Sequence, residues 1–274
     1  MTIDFDLVID TEEDTVDMKA GLDSMQGVSD AIRCIGETLL TDKVPERLTS
    51  KNNIRTSLKK SFRGSYGHIF SLDLHDDKSQ ANLRRLGRST FVELISYFFD
   101  ESMYRDTNLL SEKAQKALDK LEEKAEKLVD QLRTASLGNI HEISVKFDHD
   151  IKIRYRKNRD DQTVIASFDR DSAQVLNAEQ SDEAIDLRVV ITRLNIHTGN
   201  GRLQIEGENE TVAFGFGTEY KTLRIKAKKT LSSNLDTNNG VETDNWQYLK
   251  LTVSPIKLMN GKVIKYLVRQ IHAY

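Results

Sequence analysis

The stretch that decides the fold is Asp186–Gly217, DLRVVITRLNIHTGNGRLQIEGENETVAFGFG. Leu187, Val189 and Ile191 alternate with polar neighbours, Leu203 and Ile205 do the same, and Val212, Phe214 and Phe216 follow. Turn residues separate the runs at Thr198-Gly199-Asn200-Gly201 and at Glu208-Asn209. A period of two broken by such turns predicts three strands in succession, the opening of a small antiparallel β-barrel. Downstream, Leu223, Ala227, Leu231 and Leu235 fit a helix at steps of four, whereas Leu223, Ile225 and Ala227 fit a strand. A helix over 220–235 is chosen because one between the third and fourth strands completes an OB-type barrel. Leu249, Leu251 and Val253 alternate, the apolar phase changes at Pro255 as a β-bulge would change it, and Asn260-Gly261 predicts a hairpin before the closing strand Lys262–His272.

The strand period also opens the chain. Ile3, Phe5, Leu7 and Ile9 predict a strand whose other face carries Asp4, Asp6 and Asp10. Clustered carboxylates suit a hard cation, but with no histidine among them a solvated face is expected. Leu22, Met25, Val28, Ile32, Ile35 and Leu39 mark a buried helical face over 17–40, with Gly21, Gly27 and Gly36 lowering its propensity. A hairpin follows Pro45. Ile54, Leu58 and Phe62 are placed on one face of its first strand, Arg55, Lys59 and Arg63 on the other, and Gly64-Ser65 at the turn. One helix is predicted over 79–104. Another over 111–133 carries the heptad seam Ala114, Leu118, Leu121, Ala125, Leu128 and Leu132, expected to pack on its own domain. Up to three strands are read between Ile143 and Phe168, the first through Val145 and Phe147, then a short helix over 169–177 and a polar linker. The fold class is therefore α+β, with a mixed strand and helix domain over 1–178 and the OB-like barrel over 184–274.

Composition bounds the function. The 274 residues are 38% hydrophobic and 30% charged, as in a folded, soluble chain. No apolar run is long enough to span a bilayer, and the acidic start MTIDFDLVID does not resemble a targeting peptide. The single cysteine, Cys34, lies on an apolar helical stripe and fits a reducing cytoplasm. The net charge of −3 is unevenly spread, with eleven acidic against two basic residues in 1–42 and seven basic against one acidic in 43–66. Such asymmetry marks either contact with a polyanion or two parts of one protein that attract each other.

No phosphate loop, dinucleotide fingerprint, nucleophile elbow or zinc spacing occurs, and the six histidines are scattered, so no catalytic, cofactor or metal site is expected. His75-Asp76-Asp77 is read as a strand-end turn. Five cations are the candidate contacts for a partner or for nucleic acid: Arg55, Lys59 and Arg63 in the hairpin, and Arg193 and Arg202 in the barrel.

The run Thr192–Leu203, TRLNIHTGNGRL, resembles the start of a cold-shock domain. Asn195, Gly199 and Gly201 stand where that family has its Asn and two Gly, which implies the same strand–turn–strand. Arg193, Asn200 and Arg202 replace the family's stacking rings, so the likeness supports the barrel more than single-strand binding. The layout also resembles a family of bacterial two-domain proteins, some near phage-defence genes, chiefly through Leu194–Arg202. The function expected is a non-enzymatic cytoplasmic interaction protein, an adaptor or sensor subunit binding a protein partner or a second copy. The alternative is sequence-tolerant nucleic-acid binding through the five cations.

Overall fold

A computed structural model describes residues 1–12, 15–62 and 66–272. The chain divides into two units, Met1–Leu176 and Asn177–Tyr274.

The first unit is α+β. In chain order it comprises β1 (Thr2–Ile9), α1 (Met18–Thr41), β2 (Ile54–Phe62), β3 (Tyr66–Leu74), α2 (Asp77–Leu86), α3 (Arg88–Ser102), α4 (Glu112–Asp119), α5 (Glu123–Gln131), α6 (Leu137–Ile140), α7 (Glu142–Phe147), β4 (Ile151–Arg156) and β5 (Gln162–Phe168). The strands form one sheet in the order β2-β3-β1-β4-β5. Ile3, Phe5, Leu7 and Ile9 of β1 face the helices and bury with Ile32 and Ile35 of α1 and Phe91, Phe98 and Phe99 of α3. Asp17 caps α1, its carboxylate accepting from the Ala20 amide at 2.9 Å.

Several expectations change here, each for a local reason. The helix expected over 79–104 is two helices, because Gly87 at φ +85° breaks it and caps α2. The helix expected over 111–133 is interrupted at Glu122, φ +49°, yet all six seam residues are buried within the unit. Val145 and Phe147 lie on the helix α7 rather than on a strand, and both are exposed. Leu22, expected in the core, is also exposed, while the small residues Ala20, Gly21, Ser24 and Gly27 take the buried face of α1. The hairpin holds, but a register shift between Leu58 and Lys60 inserts Lys59 as an extra residue. Phe62 is thereby moved to the sheet face opposite Ile54, where its ring lies over Gly67. The turn at Gly64-Ser65 and the side chain of Arg63 lie outside the described residues.

Gly27 is a packing residue. A Cβ there would meet the Ile140 backbone nitrogen at 2.5 Å, so α6 lies directly on α1. Gly27→Ala gains helix propensity, but overpacking outweighs it, and a net loss of roughly 1–2 kcal/mol in urea unfolding is expected.

The second unit comprises β6 (Glu179–Gln180), β7 (Ile185–Leu194), β8 (Gly201–Ile205), β9 (Thr211–Phe216), α8 (Ile225–Asn238), β10 (Leu249–Lys257) and β11 (Val263–His272). Strands β7 to β11 close a barrel. β7 pairs with β8, β8 with β9, β9 with β11, β11 with β10, and β10 with β7. All these pairings are antiparallel except β9 with β11, which is parallel. With α8 between the third and fourth barrel strands, this is the OB-type connectivity expected from the sequence. Val189, Ile191, Leu203, Phe214, Leu231, Leu251 and Val253 fill the interior. Asn234 of α8 accepts from the Ile191 amide at 2.8 Å, tying the helix to β7. The bulges sit in β11 rather than at Pro255. Pro255 stays in register opposite Tyr266, and the shifts flank it at Thr252/Val253 and Ile256/Lys257. The residues expected to be a linker pair with β10 through Gln180 and Glu179.

Candidate interaction surfaces

The face of the first sheet turned away from the helices collects the charges. Asp4, Asp6 and Asp10, expected on a solvated face, each hold a basic partner from a neighbouring strand. Lys59 reaches Asp4 at 2.6 Å and Lys152 reaches Asp10 at 2.5 Å. Asp6 is 0% exposed. Its Oδ1 accepts from Arg156 Nε at 2.5 Å, and its Oδ2 accepts from Arg156 Nη2 at 2.8 Å and Arg154 Nη2 at 3.0 Å. Register produces this cluster, since Asp4 stands opposite Arg156 and Asp6 opposite Arg154. The displaced Phe62 lies 5.6 Å and 5.9 Å from the two guanidinium carbons, a cation–π arrangement. The acidic strand and the basic hairpin therefore attract each other within one unit. Of the hairpin cations, Lys59 is engaged and Arg55 is exposed with no ion-pair partner among the described residues.

In the barrel, Arg193 and Arg202 face each other across β7 and β8. Arg202 is 8% exposed, and its guanidinium donates to the hydroxyl and the carbonyl of Thr211 at 2.8 Å and 2.9 Å. It is a strut between β8 and β9. The loop between β7 and β8 explains the residues shared with the cold-shock run. Asn195 accepts from the His197 amide at 2.9 Å to turn the chain. A Cβ on Gly201 would lie 2.0 Å from the Arg193 carbonyl oxygen.

Two surfaces escaped the sequence reading. The entry to α8 carries Lys221, Arg224, Lys226, Lys228 and Lys229, five cations within nine residues. Arg224, Lys226 and Lys229 are exposed without ion pairs among the described residues. The density of the run KTLRIKAKK was the available signal. The other surface is apolar. Met18 and Leu22, one turn apart on α1, are 77% and 51% exposed, and Val145 and Phe147 on α7 are 47% and 43% exposed. α7 lies beside the start of α1, with the Ile143 amide on Ser24 Oγ at 3.2 Å. Lys146 stands between Val145 and Phe147 in the chain; its bond to Glu142 and its proximity to Asp23 and Asp17 hold its pKa above the ordinary lysine value. Met18 with Leu22 and Val145 with Phe147 are thus two exposed apolar pairs, with Asp17, Asp23, Glu142 and Lys146 close to them in the chain.

Cys34 and His141 are buried. Burial, then Asp30 and Glu37, push the Cys34 thiol up to about 12. Burial lowers the pKa of His141, whose ring nitrogens meet the Leu137 carbonyl and the Ser172 hydroxyl. Asp76 caps α2 through the Ser79 amide at 2.8 Å. Among the described residues no group of three or more His, Cys, Asp or Glu is placed to hold a metal, and no helix is long and apolar enough to cross a membrane. Comparison with protein families, curated proteins and solved structures found no match.

Proposed function

We propose that this chain is a non-enzymatic interaction protein, an adaptor or sensor subunit that works by binding a partner protein. The observation that carries the reading is the exposure of two apolar pairs, Met18 with Leu22 on α1 and Val145 with Phe147 on α7, each beside charged residues in the chain. Apolar side chains bordered by charge are the anatomy of protein–protein interfaces, and folding alone gives no reason to leave these two pairs in water. The internal pairing of Lys59 with Asp4 supports the same reading, because it removes part of the basic stripe from the reach of a polyanion. A second reading, sequence-tolerant nucleic-acid binding, is favoured by the cation run at the start of α8.

The test is the double variant Leu22→Glu with Phe147→Asp in the tagged full chain, purified from its native host. Both positions are exposed, so folding stability is expected to change by under about 0.5 kcal/mol for each. Proteins that co-purify with the wild type in fixed ratio are expected to fall away from the variant. Equal retention by both chains overturns the reading.

A further inference from the structure

A cleft of about 680 Å³ lies in the first unit between α3 and the edge strand β5, far larger than a packing defect and of the size that takes small ligands. Val92 and Ile165 line it with two rings, Tyr97 and Tyr155, and with three carboxylates, Glu93, Asp100 and Asp161. Glu93 and Asp161, like Ser96 and Lys157, are engaged. Glu93 accepts from the Ser111 amide and hydroxyl, Ser96 donates to the Ile165 carbonyl at 2.8 Å, and Lys157 pairs with Asp161 at 3.3 Å. Asp100 is half-buried, and its carboxylate has no hydrogen-bond donor among the described residues.

We infer that this cleft binds a small organic cation, an alkylammonium or guanidinium, with Asp100 as its counter-ion and Tyr97 and Tyr155 as its aromatic walls. Tyr97 and Asp100 are three residues apart on α3 and share the face that lines the cleft. A cation there gains an ion pair and ring faces together. Arg88 also lines the cleft, but twelve residues before Asp100, about 18 Å along the helix axis, too far to neutralise it. Arg105, just beyond α3, donates from Nη1 to the Ser167 carbonyl at 2.7 Å and offsets the burial of Asp100 only in part.

Keeping the carboxylate has a cost. Burial raises its pKa to about 6, with Arg105 opposing and Glu101 adding to the rise. For a raised carboxyl, the stabilising contribution is full below the unfolded value near 3.8 and is lost as pH rises through about 6. Asp100→Asn therefore folds, with a higher melting temperature than the wild type at neutral pH. A carboxylate held in a ligand-sized cleft against stability is the pattern of a binding group.

Calorimetric titration of the full chain with spermidine, agmatine and the dianion glutarate tests the inference. At about pH 7.5 one or both cations should saturate a single site and glutarate should not. At about pH 5 roughly one Asp100 in ten is ionised, so apparent affinity should fall about tenfold. Asp100→Asn should abolish binding at both pH values. The inference is overturned if neither cation saturates by about 5 mM, if Asp100→Asn binds as the wild type does, or if glutarate takes the site instead.

Discussion

Asp6→Ala is expected to destabilise the first unit by about 3 kcal/mol, the largest single effect outside the apolar core. The carboxylate is fully buried and receives three hydrogen bonds from Arg154 and Arg156. Removing it leaves two guanidinium groups facing each other, both beside Phe62, with no anion between them. Most of the loss is the penalty of uncompensated charge. Asp6→Asn retains one carbonyl acceptor and should recover only a minor part. Urea unfolding of the full chain, followed by far-ultraviolet circular dichroism, reports it as an earlier transition of the first unit. An unchanged midpoint would mean that the two arginines find other partners.

Leu128→Ala should cost a similar amount, about 3 kcal/mol, because the side chain is 0% exposed and its removal leaves a cavity in the core of the first unit. The same variant decides what the heptad seam is for. All six seam residues bury within their own unit, so the loss should appear in unfolding while sedimentation stays as in the wild type. A shift in oligomeric state with unchanged stability would mean that the seam pairs copies of the chain.

The parts of this fold legible in the sequence are those where one period governs a whole element. The alternation of Leu203 with Ile205, and of Val212 with Phe214 and Phe216, gave the barrel strands, and the steps of four through Leu231 and Leu235 gave α8. Breaks were hidden wherever the apolar pattern ran through them. Leu83 and Phe91 are buried on either side of Gly87, so spacing alone continues a helix that the backbone ends. Ile143, Val145 and Phe147 alternate like a strand because a six-residue helix is too short to show its own period. The bulge at Lys59 has no side-chain signature, yet it sends Phe62 to the other face of the sheet. The five candidate cations were chosen by charge, which a sequence shows. Their availability depends on register, which it does not: Lys59 meets Asp4, and Arg202 folds onto Thr211.

The choice between a protein partner and a polyanion rests most directly on titrating labelled single-stranded DNA and RNA against the full chain by fluorescence anisotropy across a range of salt. With Lys59 and Arg202 engaged and a net charge of −3, no saturation is predicted at low-micromolar protein and about 150 mM salt. Tight binding that weakens steeply with salt, and loses about one counter-ion of slope in Arg193→Ala or Arg224→Ala, would contradict the account and make the barrel a nucleic-acid module.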